Sequence, residues 1–300
     1  MNDYLMSPKN DFVFKLIFGD EKNKHILIAF LTNVLNMSEG ELADIKIINS
    51  ELLREFKEDK KGILDVRAQT KDGEQINIEI QILPTEFMPE RTLFYWAKMF
   101  VSQIKSGDTY DQLKRCITIN IVDFECTPLK QLHSCYHLIE DHTGHKLTDI
   151  EEIHFMELPK LFDPATTIDE NDPITQWMMF INAKSREVIE MLAQKNKHIG
   201  SAFDLLQIIA QDEKARMLYE ARQAEIMDQL TRIKSAQTAI LKAKAEGIKE
   251  GKKEGIKDGI KEGEEKMVKA MLLRGMTIEE VASIANMDIS KVTEIKHNQR

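Results

Sequence analysis

An excess of positive charge, paired cysteines and long apolar runs are all missing from this chain. With 41 basic against 50 acidic residues, the formal net charge is −9 over 300 positions. That balance excludes a general polycationic nucleic-acid coat, so contact with a polyanion has to come from a local basic patch or through metal ions. No run of about 18 apolar residues occurs, and the opening MNDYLMSPKNDF has no apolar signal core. The expected setting is therefore cytoplasmic, with no membrane partner. Cysteine is scarce: Cys116, Cys126 and Cys135 form an odd set of three without a C-x-x-C pair, which predicts free thiols in a reducing compartment. His133 and His137 flank Cys135 at a spacing that matches no common zinc motif and reads as ordinary surface residues. What is present is a hydrophobic content of 42%, enough to bury a sizeable core in one large or two modest domains.

The most informative stretch is residues 62–83, GILDVRAQTKDGEQINIEIQIL. Ile76, Ile78, Ile80 and Ile82 alternate with Asn77, Glu79 and Gln81, the period of a strand with one apolar face and one face of carboxylate and amides. An earlier arm places Leu64, Val66 and Ala68 on one face and Ile63, Asp65 and Arg67 on the other. Between them Lys71-Asp72-Gly73 suits a three-residue turn with Gly73 in the left-handed region. If Thr70 then pairs with Glu74, Asp65 falls opposite Glu79 and Arg67 opposite Asn77, whereas a slip of one residue would separate the two acids. Facing carboxylates repel unless a cation or a shared proton lies between them. Two readings stay open on spacing alone: a site for Mg²⁺ or Mn²⁺, which favour oxygen ligands, or the wet face of a half-exposed sheet.

The remaining elements follow from pattern. Ser7-Pro8-Lys9-Asn10-Asp11 starts a helix that Gly19 ends, with Asp11 available to cap its first turn. Residues 23–37 are apolar all round, which predicts a helix buried directly on the sheet. A strand is expected within 44–56, with Ile45, Ile47 and Leu53 toward the core, and a solvated turn at Glu58-Asp59-Lys60-Lys61. An aromatic-rich amphipathic helix over 90–105 and a buried strand CITINIV over 116–122 complete a meander, a helical crossover and a further strand. Residues 124–172 hold five of the eight histidines and one alternating strand near 150–158; His154 within it reads as a lone structural histidine. Helices resume over 175–195, where Trp177, Met178, Met179 and Phe180 are spaced as core.

From about 212 to 266 one long helix is expected. Its narrow apolar stripe needs a partner helix. Glycines at 247, 251, 255, 259 and 263 recur every fourth residue. Such a row either admits another backbone closely or marks a flexible charged spacer. Thr277 with Glu280 forms a capping-box pattern, and Asp288 or Ser290 can cap another short helix. The basic and acidic residues of this helix-turn-helix-like tail balance, which favours packing or oligomerisation over DNA readout.

SPKNDFVFKLIFGD, ILDVRAQTKDG, INIEIQ and ERTLFYWAKMFVSQIKSGDTY, in this order, resemble the recombination-promoting nuclease (Rpn) and transposase family within the PD-(D/E)XK nuclease superfamily. The resemblance implies an α/β fold, a PD-(D/E)XK-like mixed sheet flanked by helices, followed here by the long helix and the small helical tail. The expected division is 1–172 for the nuclease domain with its strand-bearing extension, 173–211 for a helical extension, 212–268 for a possible oligomerisation arm and 269–300 for the tail. The implied activity is metal-dependent DNA endonuclease, with Mg²⁺ or Mn²⁺ on Asp65 and Glu79. Gln81 stands where the PD-(D/E)XK fold usually has lysine, a departure that removes a positive charge from the phosphate. Lys15 or Arg91 could supply the charge, and Asp11 is a further candidate acid. The alternatives are a catalytically weak DNA-binding or regulatory protein on the same scaffold, or a purely structural oligomer, which would leave the facing acids without a role.

Overall fold

A tight turn decides the centre of the fold. The Thr70 N–H donates to the Glu74 carbonyl at 3.0 Å and the Gly73 N–H to the Thr70 carbonyl at 3.1 Å, with Gly73 at φ +89°, a conformation glycine adopts without steric cost. The turn joins β2 (Val66–Gln69) to β3 (Gln75–Gln81) in the register Val66↔Ile78, Arg67↔Asn77. Continuing that ladder by one step brings Asp65 beside Glu79, and the Asp65 Oδ2 accepts the Ile80 N–H at 2.8 Å.

The computed structural model describes residues 4–48 and 65–298. Around the hairpin stand β1 (Lys46–Ile48), β4 (Cys116–Val122), β5 (His133–Tyr136) and β6 (Glu151–Glu157), giving a six-stranded mixed sheet of order β1-β2-β3-β4-β6-β5. The first three strands are antiparallel, β3, β4 and β6 run parallel, and β5 closes one edge antiparallel to β6. The parallel strands are buried on both faces: every residue of β4 and β6 is buried, so that Thr118 and Asn120, which alternate with Ile117, Ile119 and Ile121 in CITINIV, are enclosed as well. Of the strand expected within 44–56, residues 46–48 form β1; Leu53, the turn at Glu58-Asp59-Lys60-Lys61, and Ile63 and Leu64 lie outside the described residues.

One face of the sheet carries α1 (Asp11–Phe18), α2 (Lys24–Leu35) with the short α3 (Glu39–Leu42), and farther along the chain α5 (Pro173–Ile181), α6 (Arg186–Lys195) and α7 (Lys197–Gln211); the crossover helix α4 (Met88–Val101) covers the other. Ile78, Ile117 and Ile119 meet Phe14, Phe18, Phe30 and Trp177 in the main core. Phe18, Phe30 and Trp177 pack with centroids 5.4–5.8 Å apart, and the indole N–H donates to Asn33 Oδ1 at 3.0 Å. One expectation needs correction. The apolar helix α2 packs chiefly on α1, α3, α5 and α7 while α1 lies against β3, because an all-round apolar surface is as well buried in a helical layer as on a sheet. The helices expected over 175–195 are α5 and α6, separated at residues 182–185.

The chain divides into two compact units, Met1–Leu230 and Thr231–Arg300, and the helix α8 (Glu213–Leu273) begins in the first and ends in the second. In the first unit Tyr219 Oη accepts the Ser7 N–H at 3.2 Å and Ile226 is buried. In the second, α8 contributes Val268 to a small core with Val281, Ala282, Val292 and Ile295 from α9 (Ile278–Ala285) and α10 (Ile289–His297). Thr277 and Glu280 form the capping box on α9, and Asp288 caps α10. Among the described residues no helix is long and apolar enough to cross a membrane.

Candidate active site

A cleft at the end of β3 collects Asp65, Glu79 and Gln81 from the hairpin, Asp11 and Lys15 from α1, Arg91 from α4, and Arg222 and Ile226 from α8. All six candidates singled out in the sequence therefore line one cavity. Each acid has a cation. Lys15 Nζ lies 3.1 Å from Asp65 Oδ1, and Arg91 Nη2 lies 3.5 Å from Glu79 Oε2. Arg222 Nε donates to both oxygens of Asp11 at 2.8 and 3.0 Å.

Asp11 is not the helix cap: that place belongs to Asn10, whose side chain accepts the Phe12 N–H at 3.1 Å. The carboxylate of Asp11 is thereby left free to hold Arg222. Gln81 turns its amide along its own strand, donating to the Leu83 carbonyl at 2.9 Å.

Burial dominates the electrostatics. Glu79 is 5% exposed, and its carboxyl is pushed up to about 7 by desolvation and by the neighbouring Asp65, against the pull of Arg91. Asp65 is raised as well, by desolvation above all, with the Ile80 N–H and Lys15 opposing and Asp11 adding to the shift. Among the described residues Glu79 Oε1 is buried without a hydrogen-bond partner, as is Asn77 Oδ1 on the same strand face. Buried polar atoms are rarely left so. Two carboxylates on adjacent strands with an unsatisfied oxygen make an oxygen-only donor set that fits a hard divalent cation. The family model described as PD-(D/E)XK nuclease family transposase matches residues 8–236.

The chain belongs to that family. As a PD-(D/E)XK family member it has a nuclease-type scaffold, and the match runs through the first part of α8, past Arg222 and Ile226. Comparison with curated proteins and with solved structures gave no match. Sequence reasoning on this PD-(D/E)XK chain missed Arg222 and Ile226. Neither carries a local signal, since Arg222 reaches its partner Asp11 across 211 positions of chain.

Proposed function

We propose that this protein is a divalent-metal-dependent DNA endonuclease that hydrolyses phosphodiester bonds at Asp65 and Glu79, acting in recombination, on mobile DNA or in defence against foreign DNA. The observation that carries the reading is the buried, unpartnered Glu79 Oε1 beside a second carboxylate. An unsatisfied buried group of this kind costs roughly 1–3 kcal/mol, which a cation shared with Asp65 would recover. Asp65 and Glu79 would hold Mg²⁺ or Mn²⁺. Such an ion, when bound, neutralises phosphate charge and acidifies a water molecule.

The chain's own groups have complementary tasks. Side chains of Lys15 and Arg91, 38% and 40% exposed, put two cations at the mouth of the cleft, where they would bind the scissile phosphate and stabilise the charge that develops on it. They take over the task that glutamine at position 81 cannot perform. Gln81 itself can orient water by hydrogen bonding, and the Asp11–Arg222 pair fixes the wall that α8 contributes. The proposal includes a homo-oligomer through α8: nothing lies within 4 Å of where a Cβ would stand at Gly247, Gly251, Gly255, Gly259 or Gly263, while Ile248, Ile256 and Ile260 are exposed.

The test is plasmid cleavage with Mg²⁺, Mn²⁺ or EDTA, for the wild type, Asp65→Ala and Glu79→Ala. Cleavage that needs metal and disappears in both variants, with their unfolding midpoints near wild type, supports the reading; cleavage that survives in both places the chemistry elsewhere. A second reading, a catalytically weak DNA-binding or regulatory protein, is favoured by the Gln81 amide, which brings no charge and is engaged with Leu83. It stands if all three proteins are inert yet bind DNA equally in fluorescence anisotropy.

A further inference from the structure

The opposite face of the sheet holds a second constellation. Ile153 and Phe155 pack beneath α4 with Met88 and Val122, on the face that carries Asn120 and, by the β3–β4 register, Glu79. By strand alternation, Glu152 and His154 point the other way. On the neighbouring edge strand Cys135 pairs with His154, and the same register puts His137 opposite Glu152. Two i, i+2 pairs, Cys135-x-His137 and Glu152-x-His154, thus face each other across adjacent antiparallel strands.

The potential ligand atoms converge. Cys135 Sγ lies 3.5 Å from His137 Nε2 and 3.8 Å from His154 Nε2. His137 Nε2 is 3.8 Å from Glu152 Oε2, and His154 Nε2 is 2.7 Å from Glu152 Oε1. A tetrahedral zinc ion with bonds of about 2.0–2.3 Å separates its ligand atoms by roughly 3.3–3.6 Å. The Cys135–His154 separation is within a few tenths of an ångström of that, and the His154–Glu152 separation requires only a small outward rotation of Glu152; His137 stands beside this cluster of three and not within it.

The surroundings orient the set as a metal centre's do. His137 Nδ1 can donate its proton to the Glu151 carbonyl at 3.0 Å, which leaves Nε2 with its lone pair toward the cluster. His154 Nδ1 meets His133 Nε2 at 2.7 Å, and Arg115 holds the Glu152 carboxylate from outside. Hydrogen-bonded second partners of this kind fix the tautomer and rotamer of metal-ligating histidines and carboxylates. Glu152 and His154 are 5% and 3% exposed, whereas Cys135 is exposed, so an ion has a way in.

We propose that Cys135, Glu152 and His154, whose ligand atoms all lie within 4.8 Å of one another, bind a thiophilic divalent cation of the zinc class, separate from the Asp65–Glu79 cleft, with the fourth position open to solvent, and that the ion fastens the four-residue edge strand β5 to β6. Binding forms one bond from each ligand atom to the ion and releases the Cys135 thiol proton to solvent, together with any proton on His154 Nε2. The rival account is a metal-free network in which His154 Nε2–H donates to Glu152.

The experiment uses the full chain, stripped with a chelator and titrated with Co²⁺ and Zn²⁺. One equivalent of Co²⁺ should give a thiolate-to-cobalt charge-transfer band with tetrahedral d–d bands. Zn²⁺ should abolish both and raise the melting temperature, and Mg²⁺ should do neither. Cys135→Ser, at an exposed position, should remove the charge-transfer band, while Cys116→Ser and Cys126→Ser keep it. His133→Phe should retain the spectrum with affinity lower by roughly 10- to 100-fold. Absence of a thiolate band, its persistence in Cys135→Ser, or a melting temperature indifferent to Zn²⁺ would overturn the proposal. Because the readouts are spectra and stability, failure here leaves the nuclease reading intact, and the converse holds.

Discussion

At the scale of a residue, the buried carboxyl of Glu79 costs the fold stability once it is ionised. Burial pushes its carboxyl up to about 7 in the folded chain from the ordinary 4.5 of a free glutamate, so between those values the native state holds a proton that the unfolded chain has released. Stability must therefore fall as pH rises from about 4.5 to about 7, by roughly 3 kcal/mol in total if the shift is taken at 1.36 kcal/mol per unit. In EDTA, Glu79→Gln should abolish most of this loss and be the more stable protein at pH 8. Urea denaturation of both proteins at pH 5 and pH 8 checks it, and parallel pH dependence in the two would refute it. Added Mg²⁺ should restore wild-type stability at pH 8, since an ion takes the place of the proton. At this scale Asp65 and Glu79 were readable from the sequence, because a three-residue turn and strict alternation leave one register. Arg222 was not, since its partner Asp11 is distant in sequence, nor was the approach of Cys135 and His133 to His154, which depends on the pairing of the edge strand β5 with β6.

Among the elements, an aromatic knot joins α1, α2 and α5. Trp177 is fully buried, touches Phe18 and Phe30, and has its N–H satisfied by Asn33. Trp177→Ala should cost about 3–5 kcal/mol, since the cavity cannot close and Asn33 loses its donor. Calorimetry should show a correspondingly lower melting temperature, and a loss below 1 kcal/mol would mean that the knot repacks. Strong periodicity made β3, β4 and β6 legible, as it did α1, α4 and the capped tail helices. The edge strand β5, HSCY, has neither alternation nor an apolar run, and its existence is owed to the ladder with β6. Likewise the break between α5 and α6 is set by how the two helices turn on the core, which no residue in 182–185 announces by itself.

For the whole molecule, the division at Leu230–Thr231 predicts two unfolding transitions. A chain truncated after residue 236 keeps the cleft, including Arg222 and Ile226, and the entire family match. It should retain the transition of the first unit at its original temperature and lose that of the second. If α8 mediates assembly, light scattering should show the truncated chain as a monomer beside an oligomeric full-length protein; equal masses would remove the role assigned to the glycine row. The ion pair between Arg222 and Asp11 bears on synthesis as well. A ribosome that has made the whole sheet still holds a nascent chain whose cleft lacks one wall, because Arg222 and Ile226 have yet to be translated. Closure of the cleft waits on contacts that span more than two hundred residues, the slowest kind to form, so a chain released early carries both acids in an incomplete enclosure.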